Sequence, residues 1–196
     1  MASHDDVTYG GSKQEGKRSR SARIRFAVLI AIVGVITLGG SAVATGASQD
    51  ELAVVRQATA QFHSIDAAEQ AGYELGYLNG AGNRIITGCV AHPTAGVMGY
   101  HYFNKQLIDD LVVDPLKPEG LVYISGSDGQ LKLVAVEYVV PGLGSNPPGV
   151  SEPPTVLGIK MHILVPAVGF YIQHFWVWSH NPAGIDVDWN PDLTCP

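Results

Sequence analysis

The sequence predicts an α+β fold: a mainly antiparallel sheet, curved or partly closed, with a helical hairpin at its N-terminal end. Three observations carry this. Residues 49–71 show cap residues and apolar positions at helical spacing. From Arg84 onward, short β-branched and aromatic runs alternate with turn residues. The compact segment Ser125-Gly126-Ser127-Asp128-Gly129 joins two of those runs as an antiparallel hairpin. Of the 196 residues, 46% are apolar and 15% charged, which excludes a disordered chain, and no repeat of 20–50 residues exists to suggest a solenoid or propeller. One packed domain with an N-terminal appendage is expected.

The appendage comes first. Six cations (Lys13, Lys17, Arg18, Arg20, Arg23, Arg25) stand against three acids, and thirteen residues without charge follow at 26–38. With the small residues of Ala42-Val43-Ala44 and Thr45-Gly46-Ala47 behind them, residues 1–47 read as a signal peptide. The uncharged stretch continues to Gln49, so an uncleaved membrane anchor is the rival reading. A secreted or cell-surface location is expected either way, with membrane contact only through this segment. Without the leader, six of the twelve Lys/Arg and fifteen of the eighteen Asp/Glu remain, a net charge of −9 that makes nucleic acid a poor partner.

Residues 48–196 form the expected domain. Ser48 caps a helix of residues 49–62, and Ser64 opens a shorter one that Gly72 stops. Strands are expected at 85–90, 97–103, 120–124, 130–140, 156–164 and 169–179, with a turn or two of helix at 107–113 before Asp114-Pro115. Five prolines and three glycines keep residues 141–155 out of the sheet, as a solvated connector or a lid over a pocket. Asn181-Pro182 and Asn190-Pro191 predict Asx turns in an irregular but ordered tail, fastened by Trp189 and Cys195.

Cys89 and Cys195 are the two cysteines, and in an exported chain such a pair reads as a disulfide before it reads as a metal site. Closing so long a loop is worth about 4–5 kcal/mol in the chain-entropy picture.

Strand parity singles out the chemically odd residues. Glu137 shares a face with Leu133, Ala135 and Val139; His174 with Phe170, Ile172, Trp176 and Trp178; His101 with Val97, Gly99 and Phe103, the small Gly99 leaving space beside it. A buried carboxylate costs several kcal/mol, at about that order, unless it is paired or metal-bound. Two imidazoles and a carboxylate from three strands are a ligand set for Zn²⁺, Fe²⁺ or Mn²⁺, with open positions for water or substrate. His162, just after the Pro-rich loop, is a candidate fourth ligand or proton carrier. The bland reading keeps Glu137 at a solvent or backbone partner and the histidines as core or turn residues. His63, His92 and His180 lack spacing that requires them in the site, and Tyr100, Tyr102, Tyr123, Tyr138 and Tyr171 line either a cavity or simply the core.

No Gly-x-Ser-x-Gly elbow, phosphate loop, dinucleotide fingerprint or His-Glu-x-x-His occurs. An exported metal-binding protein, with a metal-dependent enzyme among its forms, leads; a non-catalytic small-ligand module and a structural surface domain with a buried His/Glu network are the alternatives.

Several segments point together: Ala58-Thr59-Ala60-Gln61-Phe62-His63, Met98-Gly99-Tyr100-His101-Tyr102, Val136-Glu137-Tyr138, His174-Phe175-Trp176-Val177-Trp178, Asn181-Pro182-Ala183-Gly184 and Trp189-Asn190-Pro191. In these the chain resembles a family of exported bacterial and fungal proteins of uncharacterised function, over most of the domain. The resemblance implies that His101, Glu137, His162 and His174 stand within family motifs, and it supplies no activity. Phe170 departs from it, occupying a place where a further His is expected before Tyr171.

Overall fold

A computed structural model describes residues 46–163 and 168–196. The leader expectation falls on residues 1–47, of which 1–45 lie outside the described residues. Helix α1 (Gln49–Thr59) starts at Ser48, whose side chain accepts from the Glu51 amide while the Glu51 carboxylate accepts from the Ser48 amide, a reciprocal cap that satisfies two end donors. The helix tightens into a 3₁₀ turn (Ala60–His63), and Ser64 caps α2 (Ile65–Gln70).

Among the described residues, the elements follow the predicted mixture of helix and mostly antiparallel sheet. The strands are β1 (Tyr73–Leu75), β2 (Tyr77–Leu78), β3 (Arg84–Ile85), β4 (Val90–His92), β5 (Gly96–Asn104), β6 (Gly120–Ser125), β7 (Leu131–Pro141), β8 (Thr155–Val156), β9 (Ile159–Lys160), β10 (His162–Ile163) and β11 (Phe170–Phe175), with the short α3 (Lys105–Asp109) after β5. The main sheet runs β1-β5-β6-β7-β11-β10, and β4 pairs with β5 beyond that path. Every pairing between these strands is antiparallel.

Three expected strands are broken. Of the run expected at 85–90 only the ends are strand, β3 stopping at Ile85 and β4 starting at Val90, with Ile86 at positive φ between them. The run expected at 156–164 folds back at Leu157 and Gly158, both at positive φ, so that β8 and β9 pair as a tight hairpin. The run expected at 169–179 ends as a regular strand at Phe175: the Trp176 amide bonds to Ile185 O in the tail and the Val177 amide folds back to Phe175 O, and beyond this the Trp178 amide makes a single bond to Val134 O of β7.

The sheet separates two apolar layers. On one face, Leu52, Val55, Phe62 and Ala68 of the helical segment pack on Tyr102, Leu121, Tyr123, Val136, Tyr138 and Phe175. On the other lie Phe103, Val139, Phe170 and Ile172, beside Val122, Val134, Ala135 and Trp176. A bulge between Val122 and Tyr123 sets Tyr123 opposite Leu133 and Val122 opposite Ala135, leaving Val134 as the extra residue. Leu133 is thereby turned into the helical layer, correcting its expected place beside Glu137.

The Cys89–Cys195 disulfide is present, with Cα atoms 5.8 Å apart. It fits an oxidising, extracytoplasmic compartment. Asn190 is fully buried: its backbone pairs with Val97, its Nδ2 donates to His180 O, and its Oδ1 accepts from the Asp192 amide. Asn181 likewise donates to Trp189 O and accepts from the Ala183 amide. The tail is thus fastened as ordered, irregular chain. Among the described residues no helix is long and apolar enough to cross a membrane.

Candidate metal centre

Three strands each supply one side chain to the face opposite the helices. Glu137 on β7 stands directly across from His174 on β11. His101 on β5 faces Val122 on β6, which faces Ala135 on β7. Strands β5 and β7 therefore stand about 10 Å apart, two inter-strand spacings, and the side chains of His101 and Glu137 must lean together over β6. Small residues on the route permit it. Gly120 lies opposite Glu137, where a Cβ would sit 3.1 Å from the Glu137 Cβ and 3.2 Å from the Phe103 ring.

Gly99 is required for a different reason than the space expected beside His101. Its φ is +124°, and a Cβ there would lie 2.4 Å from the Tyr123 carbonyl oxygen. The missing side chain lets β5 approach β6 closely, next to the register shift where β4 joins β5. His101 itself rests on Phe103, rings nearly parallel with centroids 5.7 Å apart.

The donor atoms converge. His101 Nε2 lies 3.4 Å from His174 Nε2 and 3.5 Å from Glu137 Oε2, and His174 Nε2 lies 3.6 Å from Glu137 Oε1. All three residues are buried, at 3%, 4% and 0% exposure. These separations are long for hydrogen bonds between buried groups. Glu137 Oε2 and His101 Nδ1 have no hydrogen-bond partner among the described residues. One donor atom from each of the three residues lies within 4.8 Å of the others, a spacing at which the group could hold one metal ion.

Burial and the neighbouring charges set the protonation of the group. Burial, with His174 alongside, drives the His101 pKa down to about 3, and the Gly99 backbone offsets little of this. Burial pushes Glu137 up to about 7 against the attraction of His174. For His174, burial opposes charge, yet Glu137 and the hydrogen-bonded Asp188 outweigh it and raise its pKa. Asp188 is itself held below the usual carboxylate range, the hydrogen bonds and charges of His174 and His162 overcoming its burial.

Asp188 is the functional residue that the strand pattern missed. Its Oδ1 lies 3.2 Å from His174 Nδ1 and its Oδ2 2.9 Å from His162 Nε2. A carboxylate at Nδ1 fixes the tautomer that donates there and leaves the Nε2 lone pair facing His101 and Glu137. The only signal in the sequence is its position just before Trp189-Asn190-Pro191. The tail holds it in place: Trp176 Nε1 donates to Val187 O, and Gln173 Nε2 to Asp186 O.

His162 stands outside the three-residue group, exposed on β10 and joined to it through Asp188. His92 Nδ1 caps its own turn, accepting from the Thr94 and Ala95 amides, and His63 packs against Trp178. The tyrosines turn away from the centre: Tyr123 and Tyr138 are buried in the helical layer and donate to Phe62 O and Pro115 O. A further buried acid, Glu119, accepts from the Val139 amide through Oε2.

A cavity of about 130 Å³ opens over the centre, lined by His101 and Glu137 together with apolar residues of β4, β5, β7 and β11. Among the described residues that line it, none comes from the Pro-rich segment 141–155. Compared with protein-family models, curated proteins and solved structures, the chain matches none.

Proposed function

We propose that this chain is an exported metal-binding protein in which His101, Glu137 and His174 hold one divalent ion, Zn²⁺, Fe²⁺ or Mn²⁺, and that the centre serves metal-dependent chemistry on a small molecule. The observation that carries this is the convergence of His101 Nε2, His174 Nε2 and the two Glu137 oxygens, with contacts of 3.4–3.6 Å, buried and incompletely hydrogen-bonded. Two imidazoles and one carboxylate leave open positions, as catalytic zinc and non-haem iron sites do. A bound ion there would polarise a coordinated oxygen and lower the pKa of a bound water. The resemblance to exported proteins, the basic and apolar leader and the Cys89–Cys195 disulfide support a location outside the cytoplasm.

His162 supports the centre in this reading by binding Asp188. A purely structural His/Glu network is the alternative, and it predicts a centre whose stability does not depend on metal.

Elemental analysis of the untagged protein tests the proposal. One ion per chain is expected in the wild type and in His92→Ala, and near-complete loss in His101→Ala and His174→Ala. Metal far below one per chain, indifferent to those substitutions, overturns it.

A further inference from the structure

We infer that the cavity over the centre is the binding chamber for a small organic molecule carrying one oxygen donor on an apolar body about the size of a benzene ring. This rests on the metal reading above and adds to it the class of ligand. Size comes first. The cavity holds about 130 Å³, and an apolar cavity of about 150 Å³ accommodates benzene.

Chemistry narrows the class further. The polar side chains in the cavity wall are His101 and Glu137, both committed to the ion; the rest of the wall is apolar, with Phe103, Val139, Phe170 and Ile172 among its residues. A sugar, an amino acid or a phosphate ester would leave its water contacts there without replacements. A single donor directed at the ion escapes that cost. The ion keeps an attraction for one oxygen donor, with Glu137 beside it and Asp188 behind His174 offsetting part of its charge.

The wall is preformed, as ligand sites usually are, because most of it stands on strands of the main sheet. One part of the rim is strained. Ile86 lines the cavity with φ at +59°, a conformation that β-branched residues rarely adopt, and its side chain packs against the cluster containing Phe103 and Ile172. Such strain persists where the surroundings enforce it and gathers at ligand clamps.

The test uses the domain in its full chain, loaded with Co²⁺, whose visible bands report on the ion, and labelled at isoleucine methyls, which report on the cavity. Benzoate and acetate are the probes. Both should perturb the Co²⁺ bands. Benzoate should bind at least tenfold more tightly and shift the Ile86 and Ile172 methyls, leaving Ile65 in the helical layer unmoved. Val90→Phe, filling the cavity from the partly exposed β4, should remove the benzoate advantage while Co²⁺ stoichiometry and acetate affinity persist. Equal affinities for the two anions in the wild type, or benzoate binding without methyl shifts, overturn the chamber and leave the metal reading intact; the wild-type comparison decides this even if Val90→Phe folds poorly. Absence of Co²⁺ bands before any anion is added overturns the metal reading itself and the chamber with it.

Discussion

Asp188, partly buried, and Glu119, fully buried, show how differently two acids act on neighbouring strands. Asp188 acts through His174, holding its Nδ1 so that Nε2 faces the centre. Asp188→Asn keeps the shape but accepts less strongly and permits the other orientation of the amide. Metal affinity, read by competition with a chelator, should fall by about 10–100-fold with little change in melting temperature, the usual consequence of losing such a partner. Glu119 is pushed up to about 8 by burial, against the Val139 amide that favours its charge. The sign of its effect on stability follows from proton binding. Between the ordinary value of 4.5 and about 8 the unfolded chain has lost this proton and the folded chain keeps it. Its contribution therefore becomes less favourable as pH rises through that window and levels off above it. Glu119→Gln should remove this loss, so that in urea denaturation the variant gains on the wild type by a few kcal/mol, roughly, from pH 5 to pH 8.

At the scale of the strand, glycine position matters more than glycine number. Gly99 and Gly129 both have positive φ, but a Cβ at Gly99 meets the Tyr123 carbonyl at 2.4 Å while one at Gly129 meets nothing within 4 Å. Gly129→Ala should cost about 1 kcal/mol, the conformational penalty alone. Gly99→Ala adds the clash, so a loss of roughly 3 kcal/mol or more is expected in the same denaturation series, together with weakened metal binding as His101 is displaced. Much of the centre was legible at this scale. Alternation along a strand put His101, Glu137 and His174 on apolar faces because the pleat has period two. It erred at Leu133, where the bulge reverses parity, and at Trp178, which lies past the end of β11 and packs with the helical layer. Neither a bulge nor a strand end follows from alternation, since both depend on the neighbouring strand.

Across the whole molecule, the disulfide and the centre are coupled through the tail. Cys195 is tied to Cys89, Asn190 is buried against Val97, and Asp188 lies between this anchorage and His174. Cys195→Ser should cost about 2–5 kcal/mol of stability. If the tail is what delivers Asp188, the same substitution should weaken metal binding toward the level of Asp188→Asn, measured with the same chelator. Unchanged affinity in a destabilised protein would show that Asn190 and Trp176 hold the segment by themselves.

The sequence by itself determined the α+β composition, the capped helices, the pairing of two cysteines in a chain with an export-like leader, and three polar residues on apolar strand faces. These depend on local periodicity, caps and residue chemistry, which neighbours in the chain already express. Only the tertiary structure decided that the three meet, that His162 stands apart, that Asp188 supports His174, and that an apolar cavity opens above them. Those facts depend on strand order, a bulge and the path of an irregular tail, in which residues up to 106 positions apart come into contact through pairings that local patterning does not encode.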